Sequence, residues 1–476
     1  MGTVELVLGL IAACLGFALL ARHLQLPDAV ILVVGGMALA FVPGLPEVRL
    51  DPDLALAFFL PPLLQSSAYR SDWRAFRQAV GPILMLAIGA VIFTALVVGA
   101  TAHALVPGLP WPAAIALGAI VAPPDAVAAG AVLQRLRLPR RIVTVLEGES
   151  LINDASALVL YRFAVGAVAI GGFRGFPVFT FVLLGAGGIA VGWAVAEAAI
   201  WAMRRLDDTL LEITTSFLCC YASYLAGEAL HVSGVLAVVT SGAVLGGQQH
   251  RMLSPRTRQE ARVVWQFVEF ILNSLVFILI GLQLHSIVAR LDGSGVAIAG
   301  IAGVVSLVLI LSRFAWIFST TYLVRLIPRV QRIEGPAPSW RYLTVLSWAG
   351  MRGVVSLAVA LALPLDFPER DLIVFIAFCA ILATLVVQGT TLEWVIRRLR
   401  VELPAPPAGI EPEEAEARRL AAQAALEVIE EQMGDPLEGA IAADLAPEFR
   451  GRAEHLHRVA TTPAGATAER AARRRL

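Results

Sequence analysis

The sequence predicts an all-α membrane protein: about 13 transmembrane helices over residues 1-400, arranged as inverted repeats with two discontinuous helices, then a short cytoplasmic tail over 401-476. Three observations carry this. Of 476 residues, 58% are apolar and only 16% charged, with a mean hydropathy of +0.76, whereas an average soluble chain is about a quarter charged. Apolar segments near the length a bilayer requires, about 20 residues, recur at 3-21, 28-43, 53-68, 80-105, 112-133, 141-170, 177-202, 210-228, 232-249, 263-289, 295-325, 342-364 and 371-396. The loops between them alternate in charge.

Short cytoplasmic loops collect basic residues and external ones do not. Every basic residue here is Arg, since the chain has no lysine. Loops after the odd-numbered spans hold 21 Arg, and those after the even-numbered spans only Arg49, Arg174, Arg290 and Arg370. A wrong helix count scrambles such an alternation from the error onward. The N-terminus is therefore expected outside the cell membrane and the C-terminus in the cytoplasm.

The first span opens at once with Glu5 and lacks a basic leader, so it reads as a helix rather than a cleaved signal peptide. The fifth span carries Pro123 and Pro124, which cannot both sit in a continuous helix. It should break there, with Asp125 either capping the second half-helix or touching an ion directly. In the sixth span, Glu147, Ser150 and Asp154 project to nearly one side, with Asn153 beside them and Glu149 pointing elsewhere. An ionisable side chain in a bilayer needs a partner or a task, and a hard cation stripped of water seeks oxygens of this kind. The alternative is a polar seam that joins helices.

The twelfth span holds Arg352 between Gly350 and Gly353. A permanently charged guanidinium at membrane depth requires a carboxylate opposite it. Glu149 is the expected partner and Glu269 the alternative. The fifth and twelfth spans cross the membrane in opposite senses, and interrupted segments at matching places in two inverted halves point to a transporter's midplane site.

Other chemistries lack their residues. Without lysine, no mechanism can use a buried lysine amine. The four cysteines lie in apolar stretches and read as small hydrophobes, not as a disulfide framework or a zinc site. There is no HExxH, and His103, His231, His250 and His285 fall at expected helix ends. No enzyme activity, cofactor or nucleic-acid partner is expected. Beyond Arg400 the chain turns Pro-rich and then charged, and residues 411-433 are expected to form a surface helix with acids in its first turn. This tail reads as an extension without chemistry or as a regulatory element.

The runs FFLPPLLQSSAY at 58-69, APPDAVAA at 122-129, GESLINDASALVLY at 148-161 and GMRGVVSLAVALALP at 350-364 resemble the sodium/proton exchanger family of monovalent cation:proton antiporters, its bacterial members most of all. By that resemblance Asp154 is similar to the carboxylate that binds ion and proton, and Asn153 to its neighbour. Ser150 and Asp125 would complete or order the cation site, with backbone carbonyls near Pro124. Glu149 and Arg352 would be the buried pair supporting the core. The resemblance implies a homodimer and, for the Asn-Asp type, electroneutral exchange. The chain departs from the family at Ser66, where many relatives carry Glu, and at Pro124 and Ala126 around Asp125.

One carboxylate that holds a cation or a proton, but not both, is enough to couple two fluxes. If a bare Asp154 is too costly to pass the apolar barrier, only the neutralised site crosses. The expectation is one-for-one exchange of Na⁺, or Li⁺, for H⁺ by alternating access. K⁺/H⁺ exchange and a cation channel are the alternatives.

Overall fold

A computed structural model describes residues 3–24, 26–42, 52–71, 73–125, 140–172, 178–206, 208–289, 295–324, 338–401, 412–434 and 439–461. All regular elements among them are helical. They fall into two compact units, Met1–Glu402 and Leu403–Leu476.

In the first unit, α1 (Thr3–Leu24), α2 (Asp28–Leu39) and α3 (Pro52–Arg70) are followed by a short α4 (Trp73–Gln78). Then come α5 (Val80–Leu105), α6 (Trp111–Val121), α7 (Arg140–Ile170), α8 (Val178–Met203) and α9 (Thr209–Ala229). The unit closes with α10 (Gly234–Met252), α11 (Pro255–Val288), α12 (Gly295–Val324), α13 (Trp340–Trp348), α14 (Val354–Leu361) and α15 (Arg370–Leu399). Each of the expected apolar segments overlaps one of these helices, and the segment 342-364 overlaps two. Seven helices among the described residues are long and apolar enough to cross a membrane by length and composition, and α1, α2 and α6 are shorter apolar ones. The short α4 escapes the sequence reading, because six residues are too few to display a period.

Local chemistry sets the ends. The Asp208 side chain accepts from the Leu211 amide at 3.0 Å to start α9, and Ser233 does the same for Leu236 at 3.2 Å to start α10. Both α5 and α15 contain a π-helical turn, Met85–Ala90 and Thr384–Gln388. Such turns widen the helix and often mark functional positions.

In lipid, helices associate by close packing, which small residues permit. Gly36 of α2 and Gly281 of α11 face each other so closely that a Cβ on either would overlap the backbone of the other helix. At the centre lie α6 and α15, whose Leu117, Ile120, Val121, Ile376, Phe378 and Ile381 are almost wholly buried. Helix α6 and the first half of α15 are apolar nearly all round, as core helices are. By contrast α8 and α9 expose Trp193, Trp201, Leu218 and Leu225, as surfaces that meet lipid or protein do.

The second unit is a helical hairpin. Its α16 (Pro412–Gln432) lies within the segment expected to be helical, while α17 (Gly439–Thr461) has no counterpart in the sequence reading. Ala422, Ala442, Ala446 and Leu456 are buried in it, and Arg450 reaches Glu430 at 2.6 Å.

Candidate functional site

The site forms where the end of α6 meets the break between α13 and α14. Prolines 123 and 124 offer no amide hydrogens to continue α6, so it ends at Val121 and leaves its last carbonyls without intrahelical partners. The second half of that expected span, residues 126–139, lies outside the described residues. Between α13 and α14 the chain from 350 to 353 is non-helical, as the Gly350 to Gly353 run suggested. The two interruptions touch: the Asp125 amide donates to the Met351 carbonyl at 2.7 Å. Gly353 packs so closely that a Cβ there would overlap the Asp125 carboxylate. Its φ of −128° is open to any residue, so close approach and not backbone conformation requires glycine.

Arg352 is 1% exposed. Its Nε donates to the Val121 carbonyl at 2.7 Å and its Nη1 to the Gly350 carbonyl at 2.6 Å, while its backbone N–H donates to Thr384 Oγ1 at 3.1 Å. The guanidinium thus answers one orphan carbonyl at the end of α6, where the helix dipole favours a cation, and one carbonyl of its own interruption.

Helix α7 passes this crossing. Asn153 Nδ2 donates to the Pro124 carbonyl at 2.6 Å, and its Oδ1 is buried with no hydrogen-bond partner among the described residues. Asp154, next in the chain, is 8% exposed and lines a small cavity of about 10 Å³ with Ile120, Pro123, Leu158 and Ser356. Asp125 lies within electrostatic range of it. Along the same face Glu147 is exposed, Ser150 half-buried and Asp154 buried, so the stripe read from the sequence runs from the surface to the helix crossing.

The expected partner of Arg352 is corrected. Both oxygens of Glu149 go to Arg313 of α12, at 2.5 and 2.8 Å, and the Glu149 and Arg313 side chains are 1% and 3% exposed. Arg313 also donates to the Leu346 carbonyl in the last turn of α13, Nη2 at 3.3 Å and Nε at 3.4 Å. Arg352 feels both charges at longer range, but its donors face carbonyls. The helix interruption explains the exchange of partners: it frees carbonyls beside residue 352 that a sequence-level charge count does not see. Gly350 leaves room for Arg313, whose Nε would lie 2.6 Å from a Cβ at that position. Arg313 itself is missed by the sequence reading, although a lone Arg inside the apolar run 295-325 is signal enough. Glu269, the alternative partner, instead accepts from Arg70 at 2.5 Å and from the buried Ser66 hydroxyl.

Comparison with known proteins bears on this arrangement. The family described as sodium/hydrogen exchanger, transmembrane, matches residues 9–398. The chain belongs to the sodium/hydrogen exchanger family. Within it, the chain is 36% identical over 408 residues to an uncharacterised Na⁺/H⁺ exchanger of Mycobacterium tuberculosis, covering 83% of this chain and 74% of that one. It is 36% identical over 380 residues to the Na⁺/H⁺ antiporter ApNhaP of Aphanothece halophytica, covering 79% and 70%. A sodium, potassium, lithium and rubidium/H⁺ antiporter of Bacillus pumilus is 34% identical over 377 residues, covering 75% of this chain and 56% of that one. The fold of this exchanger-family chain matches the sodium proton antiporter MjNhaP1 from Methanocaldococcus jannaschii, with a TM-score of 0.61 and 18% identity over 83% of this chain and 98% of that one. It is a multi-pass membrane protein of a transporter family.

Proposed function

We propose that the protein exchanges a monovalent cation for H⁺ across the cell membrane by alternating access, with Asp154 as the group that cation and proton occupy in turn. One observation carries the reading: Asp154 is a buried carboxylate that borders a small cavity, where the end of α6 meets the break between α13 and α14. A carboxylate so placed is costly to leave bare. Neutralising it with one cation or one proton gives one-for-one, electroneutral exchange. Asn153 fits a twofold role, since its amide nitrogen holds the Pro124 carbonyl while its Oδ1 remains available as an oxygen ligand. Asp125 and Ser150 are assigned to ordering or completing the cation site, and the Arg313–Glu149 pair and Arg352 to holding its frame.

Na⁺ is the proposed substrate, with Li⁺ accepted. The names of the Aphanothece and Bacillus relatives support this, and the Bacillus name also supports K⁺ as a second substrate. A homodimer with the N-terminus outside and the C-terminus in the cytoplasm completes the proposal, the orientation resting on the arginine alternation.

The test is cation-induced collapse of an imposed pH gradient in proteoliposomes, compared for Na⁺, Li⁺ and K⁺. The wild type should respond in a saturable way, and Asp154→Asn should not respond although it folds. Full exchange in that variant overturns the assignment. A steep, voltage-driven conductance without competition between cation and proton supports a channel instead.

A further inference from the structure

Outside the crossing, three ionisable groups and a hydroxyl converge where α3, α7 and α11 come together. Arg70, at the end of α3, is half-exposed, and its Nη2 meets Glu269 Oε1 of α11 at 2.5 Å. The Ser66 hydroxyl, one turn earlier on α3 and buried, donates to the same oxygen. Glu147 of α7 feels the same guanidinium. It stands two turns before Asp154 on the same face, roughly 10 Å away along the helix axis. Arg70 and Glu147 lie toward the ends of α3 and α7 that border the Arg-rich loops, and Glu269 follows the Arg-rich start of α11.

We propose that Arg70 sets the affinity for the transported cation on the Arg-rich side, acting as a tethered competitor for the carboxylates of Glu269 and Glu147. The inference rests on the exchange reading above. A cation travelling to Asp154 along the α7 stripe meets these two carboxylates first. With Arg70 paired to Glu269 and within electrostatic range of Glu147, the three groups carry one net negative charge; without it, the two carboxylates carry two. Opposite charge lining an entrance raises the local concentration of the ion. Arg70 therefore lowers occupancy of the entrance, and an arriving cation must displace its charge. The Ser66 hydrogen bond and the ion pair fix the Glu269 carboxylate, so that the competitor is held in place and does not swing into solvent. Because Glu147 belongs to α7 and Glu269 to α11, the competition also involves the helix that bears the transport carboxylate.

The experiment measures the half-saturating Na⁺ concentration and maximal rate of Na⁺-driven proton movement in inside-out membrane vesicles, for wild type, Arg70→Gln, Arg70→Lys and Glu147→Gln. Coupling between sites of this kind is worth about fivefold at its lower end, and solvent screening of Arg70 argues for that end. Arg70→Gln should lower the half-saturating concentration by roughly that factor with little change in maximal rate. Arg70→Lys, which keeps the charge, should restore the wild-type value, and Glu147→Gln should raise it. If Arg70→Gln leaves the concentration unchanged while wild type exchanges normally, the inference falls and the exchange reading stands. A change in maximal rate alone, reproduced by Arg70→Lys, assigns Arg70 a purely structural role and also overturns it. Should Arg70→Gln not fold, an unchanged concentration in Glu147→Gln decides against the proposal. Wild-type vesicles without any cation-dependent proton movement reject the exchange reading itself.

Discussion

Arg313 holds Glu149 by both carboxylate oxygens, Nη1 to Oε1 at 2.5 Å and Nη2 to Oε2 at 2.8 Å, in a region where neither side chain reaches solvent. The same guanidinium donates to the Leu346 carbonyl. It therefore joins α12, α7 and the end of α13, one of the two interrupted helices. Fork-on-fork geometry of this kind adds direction to charge. That direction matters here, because Glu149 precedes Asp154 by little more than one turn of α7, and Leu346 lies just before the interruption that meets Asp125.

Breaking this pair from one side should be costly. Removing one partner of a buried ion pair leaves the other charge uncompensated, typically at about 3–5 kcal/mol. Arg313→Leu should lower the thermal unfolding temperature in detergent markedly. Glu149→Leu with Arg313→Leu should recover part of the loss, because it leaves neither charge buried alone. A double variant as unstable as the single one would show that Arg313 acts through Leu346 and not through Glu149.

How far the sequence discloses this site follows from what each residue needs. The prolines at 123 and 124 announce the end of α6, and the glycines around Arg352 the break between α13 and α14, through local backbone chemistry, so both are legible. Helical periodicity likewise separates Asp154 from Glu149 on α7. Partner choice is not legible. Arg352 and Arg313 are both single cations in apolar runs, and only the fold decides which meets Glu149 and which meets Val121 and Gly350. The short α4 and the tail helix α17 escape for a related reason: what buries them is tertiary, and neither carries the long apolar run that marks the spans.

Gly353 should tolerate no side chain. A Cβ there would overlap the Asp125 carboxylate and push apart the two interruptions joined by the Asp125–Met351 hydrogen bond. Gly353→Ala should abolish or strongly reduce exchange, measured as cation-driven proton movement per folded protein. Gly9→Ala, at a position with open space around it, is the control and should leave exchange at the wild-type level.

Asn153→Leu should separate support from transport. The change removes the donor to the Pro124 carbonyl at similar side-chain volume, and an unsatisfied buried carbonyl costs about 1–3 kcal/mol. It also removes the Oδ1 oxygen of the residue next to Asp154. The expected result is a modest drop in unfolding temperature with a large rise in the cation concentration needed for half-maximal exchange. A drop in stability alone would confine Asn153 to the frame.

Thr384 offers a finer test of the same frame. Its Oγ1 accepts the Arg352 backbone N–H at 3.1 Å while the hydroxyl lies 2.9 Å from the Ala380 carbonyl, within the π-helical turn of α15. Thr384→Val keeps the shape and deletes the acceptor, leaving the Arg352 amide buried without it, and should cost about 1–3 kcal/mol. Thr384→Ser keeps the oxygen and should stay close to wild type. Thermal unfolding of the two variants side by side distinguishes the hydrogen bond from packing: a loss in Thr384→Ser with none in Thr384→Val would mean that the methyl group, not the hydroxyl, holds the interruption of the twelfth span against α15.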